Sequence, residues 1–475
     1  MQKKNRILRA LSLCLLLCLL VGALASCGLF GKGGTLADRL QDKLNEYTTP
    51  ATTTSDPQEG GEHTVSAKEL SDFLALVDRE KAEIVESYYY YNYVIETPKT
   101  IDECCPELFY YLVANYYIER VTDKEEATAI FINSYIDVLG DKYGYYYGPS
   151  EADDYTADMQ GKYSGIGVQV SLNEENYIDI LTVFSGSPAE RAGILPGDVL
   201  VAVEGEDIAE IGYQATINRI RGEIGTSVTV TLRREGEPYT VSVTREEVVE
   251  VTASGKMLEG NIGYIKITSF DDTTYAQFVS AHRALEQAGA ESFVFDVRNN
   301  PGGALNSVVA ILEYILPGGD ICHMRYKNTS QNKTIKGIAD VDPTYMGRDG
   351  RVYYENHKID LPMTVLANEN TASAGELFTS TLRDRLGAEI IGAKTYGKGV
   401  GQSGGNVTSD GSFVMLTYFY YDPPTSGNYN GVGITPDQAV ALSPEAAKKN
   451  LSLLSPEEDA QLQAALSYLK GIAIP

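Results

Sequence analysis

Between residues 66 and 140 the apolar positions recur at helical spacing. Leu70, Phe73, Leu74 and Val77 make one stripe; Ala129, Phe131, Ile132, Tyr135, Ile136 and Leu139 make another, so this stretch predicts helices packed on each other. The Tyr88–Tyr91 run inside it reads as packing surface rather than a ligand box. The period changes near Lys162. Short β-rich runs at 166–170, 177–183, 199–203, 228–233 and 239–243 alternate with turn signals at Asn173, Gly186-Ser-Pro188, Pro196-Gly-Asp198, Gly205 and Gly236. One short helix, about 213–221, interrupts them. From 263 onward strands (263–267, 293–297, 363–367, 389–392, 412–421) alternate with helices (274–288, 305–316, 377–386), which predicts an α/β layered core. The chain thus divides into a helical region at 66–160, a β-domain at 161–248 and a layered core with C-terminal helices at 249–475.

The remaining N-terminal segments have a different character. Lys3, Lys4, Arg6 and Arg9 precede a short apolar run, Leu11 to Leu20, and then Leu24-Ala-Ser-Cys27. This is the composition of a secretory leader over 1–26, too short for a permanent span. Its ending resembles the bacterial lipobox, which implies lipidation of Cys27 and a membrane-anchored, extracytoplasmic protein at the cell surface or in the periplasm. Residues 27–65, with Thr, Ser, Pro and Gly concentrated at 48–64, read as a flexible tether.

Charge narrows the function. The net charge is −26, and removing the four positive and no negative residues of 1–26 makes it −30, which excludes nucleic acid as the main partner. Beyond Cys14, Cys18 and Cys27, the cysteines Cys104, Cys105 and Cys322 give no disulfide framework. His63, His282, His323 and His357 are scattered without metal-ligand spacing, so neither a metal nor another cofactor is expected.

The chemistry concentrates in two segments. Thr371-Ala-Ser-Ala-Gly375 follows an apolar strand and precedes a helix, so Ser373 sits on a small-residue turn with the Ala374 N–H at a helix start. Taken alone, Ser373 reads first as a helix cap; Lys398 changes that reading. Gly397-Lys-Gly-Val-Gly-Gln402 then sets Lys398 among glycines, where it suits a base that must be neutral, its pKa brought from about 10.4 toward 7–8. Gln402 would orient its amine if the segment opened a helix. Gly392 to Lys398 also matches the P-loop pattern, but Gly399 replaces the Ser/Thr that holds magnesium. Asn299-Asn-Pro-Gly-Gly303 reads as a tight turn, or as a bare backbone N–H brought close to a substrate carbonyl.

Four motifs in order are similar to those of the C-terminal processing peptidases, the tail-specific serine proteases of family S41. They are Asp296-Val-Arg-Asn-Asn-Pro-Gly-Gly303, Asn370-Thr-Ala-Ser-Ala-Gly-Glu376, Thr395-Tyr-Gly-Lys-Gly-Val-Gly-Gln402 and Gly433-Ile-Thr-Pro-Asp437. The resemblance implies a multidomain α+β protein with a crotonase- or ClpP-like layered protease core. It makes Ser373 the nucleophile, Lys398 the general base and Gln402 the orienting member, with Gly303 and Ala374 as the oxyanion hole. Gly165-Ile-Gly-Val168 and Ser187-Pro-Ala-Glu-Arg-Ala-Gly-Ile-Leu-Pro-Gly-Asp198 resemble a PDZ domain. That implies carboxylate binding by the 165–168 loop and an apolar pocket from Ile166, Val168 and Ile217; Arg221 resembles a regulatory position and reads equally as a plain surface arginine. Substrates would be proteins or peptides with apolar C-termini, and the helical region is a place for self-association. The competing class is a non-catalytic PDZ scaffold. Two departures stand out: Asp141-Lys-Tyr-Gly144 where the family often has Asp-Pro-Tyr-Ser, and Asp296-Val-Arg298 where it has Asp-Leu-Arg.

Overall fold

The computed structural model describes residues 65–471 apart from 117, 150, 153–154, 156–161, 174, 185, 339–344, 347–351, 354–355, 450 and 452–453; it also describes 36, 39–40, 43–44, 53–55 and 62–64. The leader and Cys27 lie outside the described residues. Two compact units result. One comprises described residues before 155 with 324–333 and 400–420; the other holds 155–323, 334–399 and 421 onward.

The first unit is built on the helices α1 Ala67–Leu76, α2 Arg79–Asn92, α3 Ile101–Asn115 and α4 Lys124–Val138. Their starts follow from local chemistry. Ser66 with Glu69 and Thr100 with Glu103 form reciprocal capping boxes, while Asp78 and Asp123 cap α2 and α4. Phe73, Val85, Tyr89, Leu108, Leu112, Phe131 and Tyr135 fill the core between them. Leu36, Leu40 and Leu44 are helical and buried in that core, so part of the segment expected to be a tether is packed structure. The tyrosine run is split: Tyr89 is fully buried, whereas Tyr90 and Tyr91 are exposed.

A hairpin drawn from far along the chain completes this unit. Val400–Asn406 pairs antiparallel with Phe413–Asp422, and β1 (Tyr145–Tyr147) pairs with 413–415. Val407, Val414 and Leu416 enter the helical core, and Asp410 forms an ion pair with the buried Lys81 amine at 2.7 Å. The layered core expected at 249–475 therefore does not keep residues 400–420.

The second unit contains the β-domain and a mixed sheet. In the β-domain, β2 Val168–Leu172, β3 Ile178–Val183, β4 Val199–Val203, β5 Ser227–Arg234 and β6 Glu237–Thr244 take the sheet order β6-β5-β4-β3-β2, with α5 Tyr213–Ile220. Ile178, Ile180, Leu200, Val228, Val230 and Leu232 alternate inward and form its core.

The mixed sheet has the order β7-β8-β9-β10-β11-β12: Ala253–Leu258, Ile262–Ile267, Ser292–Asp296, Met363–Ala367, Glu389–Gly392 and Gln438–Ala439. Only β7 runs antiparallel to its neighbour. Its helices are α6 Thr274–Gln287, α7 Leu305–Ile315, α8 Ala374–Leu386 and α9 Ala460–Gly471. Every residue of β9 and β10 is buried, as expected for strands covered on both faces.

Candidate active site

The parallel register explains why the chemistry converges. β9, β10 and β11 are neighbours pointing the same way, so the segments leaving their carboxyl ends share one edge of the sheet. Those segments are Asn299–Gly303, Asn368–Ser373 and Ala393–Gly399. Ala372 N–H donates to the Asn300 carbonyl at 2.9 Å, and Tyr396 N–H donates to the Thr371 carbonyl at 3.0 Å. The serine turn is thus held from both sides. Behind it, the buried Arg298 guanidinium bonds Asp296 at 2.6 Å and Asp459 of the α9 entry at 2.7 Å. Burial would raise the Asp296 carboxyl, but the Arg298 guanidinium and the Tyr264 hydroxyl hold it below its usual range.

Ser373 adopts φ 53° and ψ −119°, a conformation that costs a non-glycine residue roughly 1–3 kcal/mol and is found at functional turns. α8 begins one residue later. Neither Gly303 nor Ala374 uses its N–H in a backbone hydrogen bond among the described residues. A Cβ on Gly302 would stand 2.7 Å from Ser373 Cβ and 3.0 Å from the Ala374 nitrogen; one on Gly303 would stand 2.1 Å from the Phe270 carbonyl oxygen. Only glycines let the loop after β9 close on those after β8 and β10 here.

Two residues that motif reasoning gave no role organise the site. Glu376, fully buried, accepts Ser373 N–H at 3.1 Å and Lys398 N–H at 2.8 Å through Oε2. Its Oε1 accepts Gly397 N–H at 2.7 Å and the Thr395 hydroxyl at 2.5 Å. Burial pushes this carboxyl above its ordinary range while the four hydrogen bonds pull it back. The sequence signal for Glu376 exists: it is the third helical residue after a serine, the position of a capping box.

Tyr421 is the second. Its hydroxyl lies 2.6 Å from the Lys398 carbonyl oxygen and 3.3 Å from Ser373 Oγ. A phenol has one proton, committed to the carbonyl, so Oη accepts from the Ser373 hydroxyl. Burial holds the phenol above its usual range, keeping it protonated. No local signal marks Tyr421, which stands 48 residues after the serine.

Gln402 is on a strand, Val400–Asn406, not on the helix that would have set it one turn beyond Lys398. The same fact removes the P-loop alternative, which requires a helix there. Gln402 Nε2 lies 3.5 Å from Thr417 Oγ1, whose hydroxyl donates to the buried Asp141 carboxylate at 2.6 Å.

In the β-domain, Gly165, Ile166, Gly167, Val168, Ile217 and Arg221 line one groove between β2 and α5, joined by Phe184 and Tyr213. β2 is the sheet's edge strand, the place where an extended peptide can add. A Cβ on Gly167 would meet Ser187 Cβ at 2.3 Å, which fixes glycine at this loop position.

A strained serine turn at the carboxyl edge of a parallel sheet, with a PDZ-type groove in the same unit, defines a PDZ-bearing serine peptidase. Comparison with known proteins agrees. Residues 261–440 match the model of peptidase family S41, and residues 180–234 match a PDZ domain model. The chain is 31% identical over 337 residues to the carboxy-terminal processing protease CtpA of Bacillus subtilis, covering 70% of this chain and 68% of that protein. It is 28% identical over 380 residues to the carboxyl-terminal-processing protease of Synechocystis, covering 78% and 83%. A solved structure assigned to the S41 proteases, from Bacteroides fragilis, shares the fold at TM-score 0.53 and 16% identity, covering 82% of this chain and 97% of that one. The chain belongs to peptidase family S41 and is a serine-type peptidase.

Proposed function

We propose that this peptidase cleaves extracytoplasmic proteins that it recognises by their C-termini, with a Ser373–Lys398 dyad as its catalytic machinery. The carrying observation is the Glu376 carboxylate, which accepts the backbone N–H groups of both dyad members, while Tyr421 reaches from Ser373 Oγ to the Lys398 carbonyl. The Lys398 amine takes the proton of Ser373 as Oγ attacks the scissile carbonyl. The Gly303 and Ala374 N–H groups hold the developing oxyanion, each worth about 3 kcal/mol. The leaving amine then takes the proton from Lys398, and water cleaves the acyl-enzyme. No resident cofactor takes part in these steps.

The groove of Ile166, Val168 and Ile217 receives an apolar last side chain, with the 165–168 loop on the terminal carboxylate and Arg221 coupling occupancy to activity. Lipidation at Cys27 anchors the protein to a bacterial membrane, and the helical region is its surface for self-association. No helix among the described residues is long and apolar enough to cross a membrane.

The test uses the chain lacking residues 1–26 and an unstructured protein ending in Ala or Val. Ser373→Ala and Lys398→Ala should each abolish cleavage and keep affinity for the C-terminal peptide. Ile217→Asp should weaken that affinity at least tenfold. Full cleavage by either dyad variant would sink the mechanism, and unaltered peptide affinity in Ile217→Asp would sink the groove assignment.

A further inference from the structure

Away from the serine turn, the chain brings together three side chains whose sequence spacing gives no hint of it. His282 and Glu286 lie one turn apart on α6, and His357 arrives from a segment 71 residues after Glu286. One candidate ligand atom from each lies within 4.8 Å of the others. His357 is not on a loose loop. The last carbonyls of α7, left without helical partners, accept the N–H groups of His357 (2.8 Å) and Lys358 (3.0 Å) at Tyr314 and of Ile359 (2.9 Å) at Ile315. Its ring stacks on Tyr314, with the planes 6° apart and the centroids 5.0 Å apart.

The hydrogen bond between His357 Nε2 and Glu286 Oε1, at 2.9 Å, accounts for two of the three residues. It does not account for His282. That ring is 1% exposed and sits between Phe293 and Tyr314. Its Nδ1 meets the Tyr314 hydroxyl at 3.1 Å, while Nε2 is buried with no hydrogen-bond partner among the described residues. A buried imidazole nitrogen is seldom left so, and each such case asks for an explanation.

We propose that His282, Glu286 and His357 form a binding site for one divalent transition-metal ion of the zinc class. Two imidazoles and a carboxylate are a three-ligand set that zinc accepts, leaving a fourth position for water. His282 binds through Nε2 while Nδ1–H donates to the Tyr314 hydroxyl, the outer hydrogen bond that orients metal-ligating histidines. His357 and Glu286 are half-buried and exposed, respectively, so the ion enters from solvent between them. Ligands around zinc stand closer together than the 4.8 Å found here, so binding draws His357 and α6 together. The ion thereby clamps α6 to the His357–Ile359 segment held at the end of α7.

The probe is zinc chloride alone, added to the metal-stripped chain lacking residues 1–26. Calorimetry and metal analysis after dialysis should give one zinc per chain with micromolar or tighter affinity, and zinc should raise the melting temperature by several degrees. His357→Ala and Glu286→Gln, which change half-buried or exposed positions, should weaken binding at least tenfold and remove the thermal shift. His323→Ala, a histidine outside the cluster, should leave both unchanged. No zinc bound by the parent chain, or equal binding in His357→Ala, overturns the proposal. Equal loss in His323→Ala does so too, since it would mean scattered surface binding.

Discussion

The Glu376 carboxylate lies 2.8 Å from the backbone nitrogen of Lys398, and the oxygen that makes this contact also accepts the Ser373 N–H. One buried side chain thus fixes the spacing of two backbone segments that leave different strands. Neither segment could hold it alone: the serine turn is strained, and the lysine stands between glycines at 397 and 399.

Glu376→Gln therefore separates charge from shape. An amide of the same size offers one acceptor oxygen, so it faces some of the four donors with its own NH2. Stability should fall by about 2–3 kcal/mol, and kcat should fall about tenfold or more as the geometry of the proposed dyad loosens. Thermal melts and peptide cleavage measure both. Unchanged kcat together with unchanged melting would show that the carboxylate does not position the dyad.

Tyr421→Phe removes only a hydroxyl. The Lys398 carbonyl and Ser373 Oγ both lose a partner, while the ring continues to fill its buried place. We expect stability to change by about 1 kcal/mol and kcat to drop about tenfold or more with KM nearly constant. A rise in KM at constant kcat would instead place Tyr421 in substrate binding.

Glu86 gives the helical unit a pH signature. Burial pushes its carboxyl from 4.5 up to about 7, although it accepts the Ile101 N–H at 2.6 Å. Below 4.5 the group is protonated whether the chain is folded or not. Between 4.5 and about 7 the folded chain keeps a proton that the unfolded chain has lost. Stability from this group is therefore full below 4.5 and lost as pH rises through 7, by about 3 kcal/mol in all. Glu86→Gln should flatten that part of the melting-temperature profile between pH 5 and 7. An unchanged slope rules the assignment out.

Gly144 explains a departure from the family pattern. A Cβ there would lie 2.0 Å from the Tyr89 hydroxyl oxygen and 2.7 Å from Asp141 Oδ2. The Tyr89 hydroxyl, which bonds Asp141 at 3.0 Å, occupies the space that a serine side chain at 144 would need. Gly144→Ser should destabilise the chain by about 1–3 kcal/mol, and adding Tyr89→Phe should recover part of that loss. Denaturant melts of the four combinations test the coupling. Strictly additive effects would refute it.

Local pattern made much of this protein legible before any fold was seen. Helical stripes at 66–140, period-two runs at 166–243 and strand–helix alternation beyond 263 are set by side-chain period, a property of neighbours in sequence. The expected strands and helices of the β-domain match those found to within a few residues, because turn residues bound them. The serine turn, the Gly-Gly turn and the lysine loop were visible for the same reason: each is a short run whose residue types are demanded by local backbone geometry.

Long-range placement was not legible. The hairpin at 400–420 leaves the layered core for the helical unit because its apolar side chains and Asp410 find partners among residues 81–146, a preference no local window contains. Gln402 sits on a strand for the same reason, so the helix on which its place one turn beyond Lys398 was conditional does not form. Tyr421 and Glu376 acquire their roles only when parallel pairing of β9, β10 and β11 brings three loops to one edge. His282, Glu286 and His357 meet because the end of α7 captures a distant segment by its main chain. Sequence by itself determined the elements and the residue chemistry at the serine turn. Only the tertiary structure decided which carboxylate, phenol and imidazoles stand beside one another, because those distances depend on strand order and core packing.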